Sequence, residues 1–199
     1  MGKIFCICGK SSSGKDTVYK RLLADNELGL NQLVTYTTRP IREGEVNGRE
    51  YFFIDEAEAL RLHEEGRIVE SRAYNTVFGI WKYMTVDDGD MDLDNKSYVV
   101  IGTLESYVQI RNYFGKENVI PVMIEVDDGE RLERALKRER LQPNPKYDEM
   151  CRRFLADSAD FSKEKIKSAG IEDVFVNDDL EECIGKVKSV RTLHRAGRN

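Results

Sequence analysis

The densest chemistry in the chain lies in nine residues near the N-terminus, Gly9-Lys10-Ser11-Ser12-Ser13-Gly14-Lys15-Asp16-Thr17. Two glycines bracket four residues and a lysine follows the second, the G-x4-G-K spacing of a P-loop. Backbone N–H groups in such a loop line a concavity, and the helix that follows adds partial positive charge. Lys15 can then reach the terminal phosphates of a bound polyphosphate, which makes the loop a nucleotide site. The next position departs from the usual pattern: Asp16 stands where a hydroxyl would ligate Mg²⁺, with Thr17 one place later. Mg²⁺ prefers hard oxygen ligands, so Asp16 is the candidate metal ligand, directly or through water. Capping of the helix is its other reading.

The next unusual stretch is Thr35-Tyr36-Thr37-Thr38-Arg39-Pro40-Ile41-Arg42, continuing through a Gly-containing turn to Tyr51-Phe52-Phe53. Arg39 and Arg42 flank a stiffening proline, and two guanidiniums with a phenol make a clamp for a phosphate monoester. The alternative is a solvated hairpin with incidental arginines.

These loops need a scaffold. Residues 3–8 form a short apolar run that reads as a buried central strand feeding the loop, and Val18, Tyr19, Leu22 and Leu23 give the helix after it. Strands are expected at 32–38, 50–54, 67–71, 97–101, 119–126 and 174–176. Helices are expected from Asp55 to Gly66, over about 129–141, as one long element over 148–169, and at the C-terminus. The alternation implies an α/β fold with a mostly parallel sheet. The 199 residues suit one domain with room for a lid.

Composition removes several classes. Thirty-six acids against 31 Lys and Arg leave a net charge of −5, which argues against a nucleic-acid or anionic-membrane coat. No apolar run is long enough to span a membrane, and the N-terminal one is too short for a signal peptide. Two distant histidines, His63 and His194, speak against a catalytic triad or His-rich metal site. Cys6, Cys8, Cys151 and Cys183 fit neither metal nor disulfide spacing and read as buried reduced thiols of a cytoplasmic protein. The acidic run Asp87–Asp94 lacks the glycine and glutamate of a Ca²⁺ loop and reads as a solvated loop.

The segment Thr37-Thr38-Arg39-Pro40-Ile41-Arg42-Glu43-Gly44-Glu45-Val46-Asn47-Gly48 with Tyr51-Phe52-Phe53 resembles the guanylate kinase family, as does Val176-Asn177-Asp178-Asp179-Leu180. The resemblance implies a P-loop NTPase core (about 1–34, 97–130 and 155–199), a small β-rich NMP-binding subdomain (about 35–85) and a helical lid (about 131–154). It implies that Thr35, Arg39, Arg42 and Tyr51 hold the GMP phosphate and that Asn177 belongs to the ATP site. It also implies that Glu70 takes the guanine N1–H and amine. Three departures mark the acceptor site: Phe78 replaces a phosphate-binding tyrosine, Ile80 replaces a base-contacting hydroxyl, and Ile101-Gly102-Thr103 replaces a two-carboxylate motif, leaving Thr103 as its one polar group.

Residues 131–140 carry five cations against Glu133 and Glu139. Of these, the resemblance selects Arg138, together with Arg153 further on, as lid arginines, with Arg134 and Arg140 in reserve. Arg131 and Lys137 read as a solvated helix face. The implied activity is transfer of the ATP γ-phosphoryl group to a nucleoside monophosphate, GMP first, with Lys15, Arg39, Arg138 and Arg153 as its catalytic cations and Mg²⁺ as cofactor. Two alternatives stay open: a related kinase acting on another acceptor such as ribose 1,5-bisphosphate, and a non-catalytic interaction module.

Overall fold

The computed structural model describes residues 1–76 and 79–196. Strand β1 (Ile4–Cys8) is buried along its whole length, and it leads through the glycine loop into α1 (Lys15–Leu23). Then come β2 (Leu30–Gln32), β3 (Tyr36–Thr37), β4 (Phe52–Phe53) and α2 (Glu56–Glu64). As the sequence suggests, Asp55 caps α2 by accepting from Glu58 N. The chain continues through β5 (Ile68–Thr76), β6 (Gly79–Val86), β7 (Ser97–Ile101), α3 (Leu104–Phe114) and β8 (Val119–Glu125). It ends with α4 (Asp128–Arg140), α5 (Tyr147–Asp160), α6 (Lys163–Ser168), β9 (Val174–Val176) and α7 (Leu180–Ala196).

The strands form two sheets. The first runs β2-β7-β1-β8-β9 with every pairing parallel. Alternation along β1 explains its burial: Ile4, Cys6 and Cys8 pack toward Tyr107 and Ile110 of α3 and Ile166 of α6, while Phe5 and Ile7 pack toward Val18 and Leu22 of α1 and Val187 of α7. Each such aliphatic side chain stabilises the core by about 1.5–3 kcal/mol. The second sheet, β4-β3-β6-β5, is mixed, and α2 covers one face with Ala59 and Leu62 against Met84 and Val86.

Several expectations change. The strand expected at 32–38 is split: β2 joins the first sheet and β3 the second. The helix expected over 148–169 breaks at Phe161, and Ser162 caps α6 through Lys165 N. The β6 strand and α3 had no expected counterpart. Cys151 is exposed, unlike the other three cysteines, and all four are free. Lys137 is solvated as expected, but Arg131 is buried. Among the described residues no helix is long and apolar enough to cross a membrane.

Candidate active site

Gly9 and Gly14 sit where side chains cannot. A Cβ on Gly9 would stand 2.5 Å from Ile124 O, and one on Gly14 would strike Asn177 Nδ2 at a φ of 86°. Ser12 adopts the left-handed region at φ 64°, an arrangement that costs energy in a non-glycine residue and belongs to sites that use it. The Ser12 and Ser13 hydroxyls are buried without a protein partner, so the loop holds polar groups free to meet a ligand. Asn177 N donates to Glu125 O at 2.8 Å and Asn177 Nδ2 donates to Ser13 O at 2.8 Å, which ties the end of β9 to the loop. Arg134 joins this corner through Nη2 to Asn177 O at 3.4 Å. Lys15 Nζ lies 3.7 Å from the carboxylate of Asp16, which is exposed along with Thr17 at the start of α1.

An internal carboxylate already occupies part of this phosphate cradle. Ser11 N donates to Asp157 Oδ2 of α5 at 2.7 Å, and Lys10 Nζ pairs with Asp128 of α4 at 3.1 Å. Arg131 binds the two acids together, at 2.6 Å from Asp128 and 3.9 Å from Asp157, and lies over the Phe154 ring at 4.2 Å. Arg131 is 1% exposed, and its Nε and Nη2 lack hydrogen-bond partners. It lines a cleft of about 160 Å³ with Ser11, Arg138, Lys146, Glu149 and Arg153. The two expected lid arginines thus meet the P-loop, alongside an arginine that the solvated-face reading missed. Arg152 and Arg153 hold the Glu149 carboxyl down at about 2, so it stays ionised beside them.

The second sheet presents the acceptor residues. Pairing of Arg72 with Tyr83 and of Thr37 with Tyr83 puts these three on one face, and Glu70, two residues before Arg72 and paired with Thr85, shares it. Arg39 is 3% exposed, forks onto Glu45 at 2.8 and 2.9 Å, and lies 5.4 Å from the Tyr51 ring and 5.3 Å from the Phe53 ring. Its partner holds the guanidinium pKa up, and Arg39 in turn pulls the Glu45 carboxyl down to about 2. The phosphate role expected of Arg39 therefore requires Glu45 to yield. Arg42 is exposed, with its backbone N–H also on Glu45. Thr35 is half-buried and its carbonyl accepts from Phe52 N. Tyr51 stacks edge-on with Tyr83 at 5.6 Å, and burial pushes its phenol pKa up.

The Glu70 side chain is 0% exposed and receives Thr85 Oγ1 at 2.9 Å, Arg72 Nε at 3.0 Å and Arg72 Nη2 at 3.2 Å. The Cys8 hydrogen bond and burial push the Cys6 thiol up, and the Glu70 charge adds to this, which places Glu70 close to β1. The Thr103 hydroxyl accepts from Ser106 N in a capping box at the start of α3. Phe78 lies outside the described residues. Among those described, no cluster of three or more His, Cys, Asp or Glu residues could enclose a metal ion.

Known proteins show the same plan. The family model described as guanylate kinase matches residues 1–88. The guanylate kinase of Neisseria gonorrhoeae is 32% identical over 201 residues, spanning 100% of this chain and 91% of its own. The guanylate kinase of Porphyromonas gingivalis is 31% identical and spans 94% and 95%. The chain belongs to the guanylate kinase family. A crystal structure of guanylate kinase from Anaplasma phagocytophilum superposes with a TM-score of 0.66 at 22% identity, covering 96% of this chain and 85% of that one. That match extends the same fold over nearly the whole chain.

Proposed function

We propose that the protein transfers the γ-phosphoryl group of ATP to the phosphate of GMP, giving ADP and GDP. The observation that carries this reading is the convergence of Ser11, Arg131, Arg138 and Arg153 on one cleft beside Lys15's loop. A binding module has no need for such a concentration of cations around a phosphate cradle. Phosphoryl transfer, by contrast, depends on positioning and on charge stabilisation of the equatorial oxygens. Lys15 and the cleft arginines bind the ATP phosphates, with the buried Ser12 and Ser13 hydroxyls and the Asn177 strut shaping the loop. Arg42 and Tyr51 grip the GMP phosphate, and Arg39 joins them as Glu45 gives way. Glu70 accepts from the guanine N1–H and amine. Adenine has no such donor pair.

The donor set near the loop suits Mg²⁺ only in partnership with ATP, because Asp16 offers one exposed carboxylate and an Mg²⁺ site of this kind is completed by phosphates and water. When bound beside Asp16, Mg²⁺ would supply positive charge that offsets the negative charge of the ATP phosphates. Free thiols and small nucleotide substrates support a cytoplasmic setting, with no nucleic-acid or membrane partner. The test is a coupled ADP-release assay with GMP, dGMP, AMP, CMP and UMP. GMP is expected to be the best acceptor, and absence of turnover with all five would overturn the proposal.

A further inference from the structure

Arg72 sits on the face that carries Glu70, directly across from Tyr83, and its side chain is 16% exposed. A carboxylate offers about four lone-pair positions. Three are taken, by Thr85 and by both arms of the Arg72 fork. Guanine needs two, for N1–H and its amine. One existing bond must therefore give way when guanine arrives, and the longest is Arg72 Nη2 to Glu70 Oε1 at 3.2 Å.

A guanidinium N–H released beside guanine meets a suitable partner. The base edge that shows Glu70 two donors shows O6 next to them, and arginine is a frequent ligand of guanine O6 and N7. Ile80, 57% exposed, offers no hydrogen-bonding side chain to take that role. Burial works against the Arg72 charge, while Glu70 and Tyr74 hold its pKa up, so it remains a cation and a donor.

We propose that Arg72 is a specificity-determining residue that reads guanine O6 while Glu70 reads N1–H and the amine. This rests on GMP being the acceptor. The pair presents acceptor, acceptor and donor to a donor, donor and acceptor edge. Adenine meets a mismatch at every position, because its exocyclic amine would point a donor at Arg72.

The test compares kcat/KM for GMP, IMP and 6-thio-GMP in the unaltered enzyme and in Arg72→Ala. IMP lacks the amine that Glu70 reads, and 6-thio-GMP replaces O6 with a poor acceptor. The unaltered enzyme is expected to prefer GMP over 6-thio-GMP by about tenfold or more, because a site built for a hydrogen bond rejects the analogue that lacks it. Arg72→Ala is expected to bring that ratio toward unity while preserving the GMP to IMP ratio. If both ratios survive and all three substrates weaken together, Arg72 serves structure or the phosphate, and the proposal falls. If the IMP ratio collapses and the thio ratio survives, Arg72 only positions Glu70, and the proposal falls again. No GMP turnover by the unaltered enzyme would defeat the acceptor assignment itself, which is a separate outcome. Should Arg72→Ala not fold, Arg72→Gln carries the same comparison, since its shorter amide keeps a polar neighbour for Glu70 but cannot span to the base.

Discussion

Replacing Arg131 with methionine separates what this residue does for the fold from what it does for ATP. Methionine keeps packing against Phe154 but removes the cation that joins Asp128 to Asp157. Breaking a fully buried pair costs about 3–5 kcal/mol. Here Asp128 is 52% exposed and keeps Lys10, and Asp157 keeps Ser11 N–H, so the expected loss is smaller, about 1–3 kcal/mol. For a chain of this size that lowers Tm by roughly 3–10 °C. The Nε and Nη2 groups left without partners add a second effect. One charge-assisted bond from them to an ATP phosphate contributes about 1.5–3 kcal/mol, so kcat/KM for ATP should fall by about ten- to 150-fold. Thermal melts with and without ATP, alongside steady-state kinetics, measure both quantities. A lower Tm with kcat/KM for ATP unchanged would refute the claim that these donors face phosphate.

Lys15→Met should leave the melt nearly unchanged, because the ion pair of Lys15 Nζ with Asp16 is long, at 3.7 Å, and the carboxylate is exposed. Its kcat should fall by roughly 10²–10³ in the coupled assay, as for loss of one preorganised cation. The Arg39–Glu45 pair sets an acid limit. The folded Glu45 pKa of about 2 lies below its ordinary value of 4.5, so its contribution is full at neutral pH and drains away as pH falls from the ordinary value toward the folded one. Acid titration followed by the fluorescence of Trp81, on the strand beside β3, should show this loss. Glu45→Gln should lack that contribution at neutral pH and lose correspondingly less on acidification.

The P-loop was legible because its chemistry is local: spacing alone specifies two glycines and a lysine, and the flanking strand and helix follow from apolar period. Tyr51 stood out beside Arg39 and Arg42 as the phenol of a phosphate clamp, whereas Glu70 entered only through a family pattern, since a lone glutamate on a strand carries no signal of its own. Arg72 was invisible because its meaning comes from its contact with Glu70 and its cross-strand pairing with Tyr83, neither of which spacing alone announces. Arg131 was misread for a related reason. Its helix carries the charges of a solvated face, and α5 buries that one position through Phe154 and Asp157, more than twenty residues away. The strand of residues 79–86 interrupts its apolar residues with Lys82, whose amine reaches Glu56 at 2.6 Å on the α2 side, so period two was obscured. At both phosphate sites a carboxylate rests on the donors, Asp157 on Ser11 N and Glu45 on Arg39. The Asp157 contact spans 146 positions and leaves no mark in the local sequence, whereas Glu45 lies within the same loop as Arg39.

The Asn177 strut has a consequence for the order in which the protein is made. Its amide is separated from Ser13 by 164 positions, so the nucleotide loop is synthesised early and braced late. A nascent chain can present all nine loop residues, and even the whole of β1 and α1, while the strand that holds their shape is still untranslated. The bracing of the loop by Asn177 therefore forms only once β9, near the end of the chain, has docked beside β8.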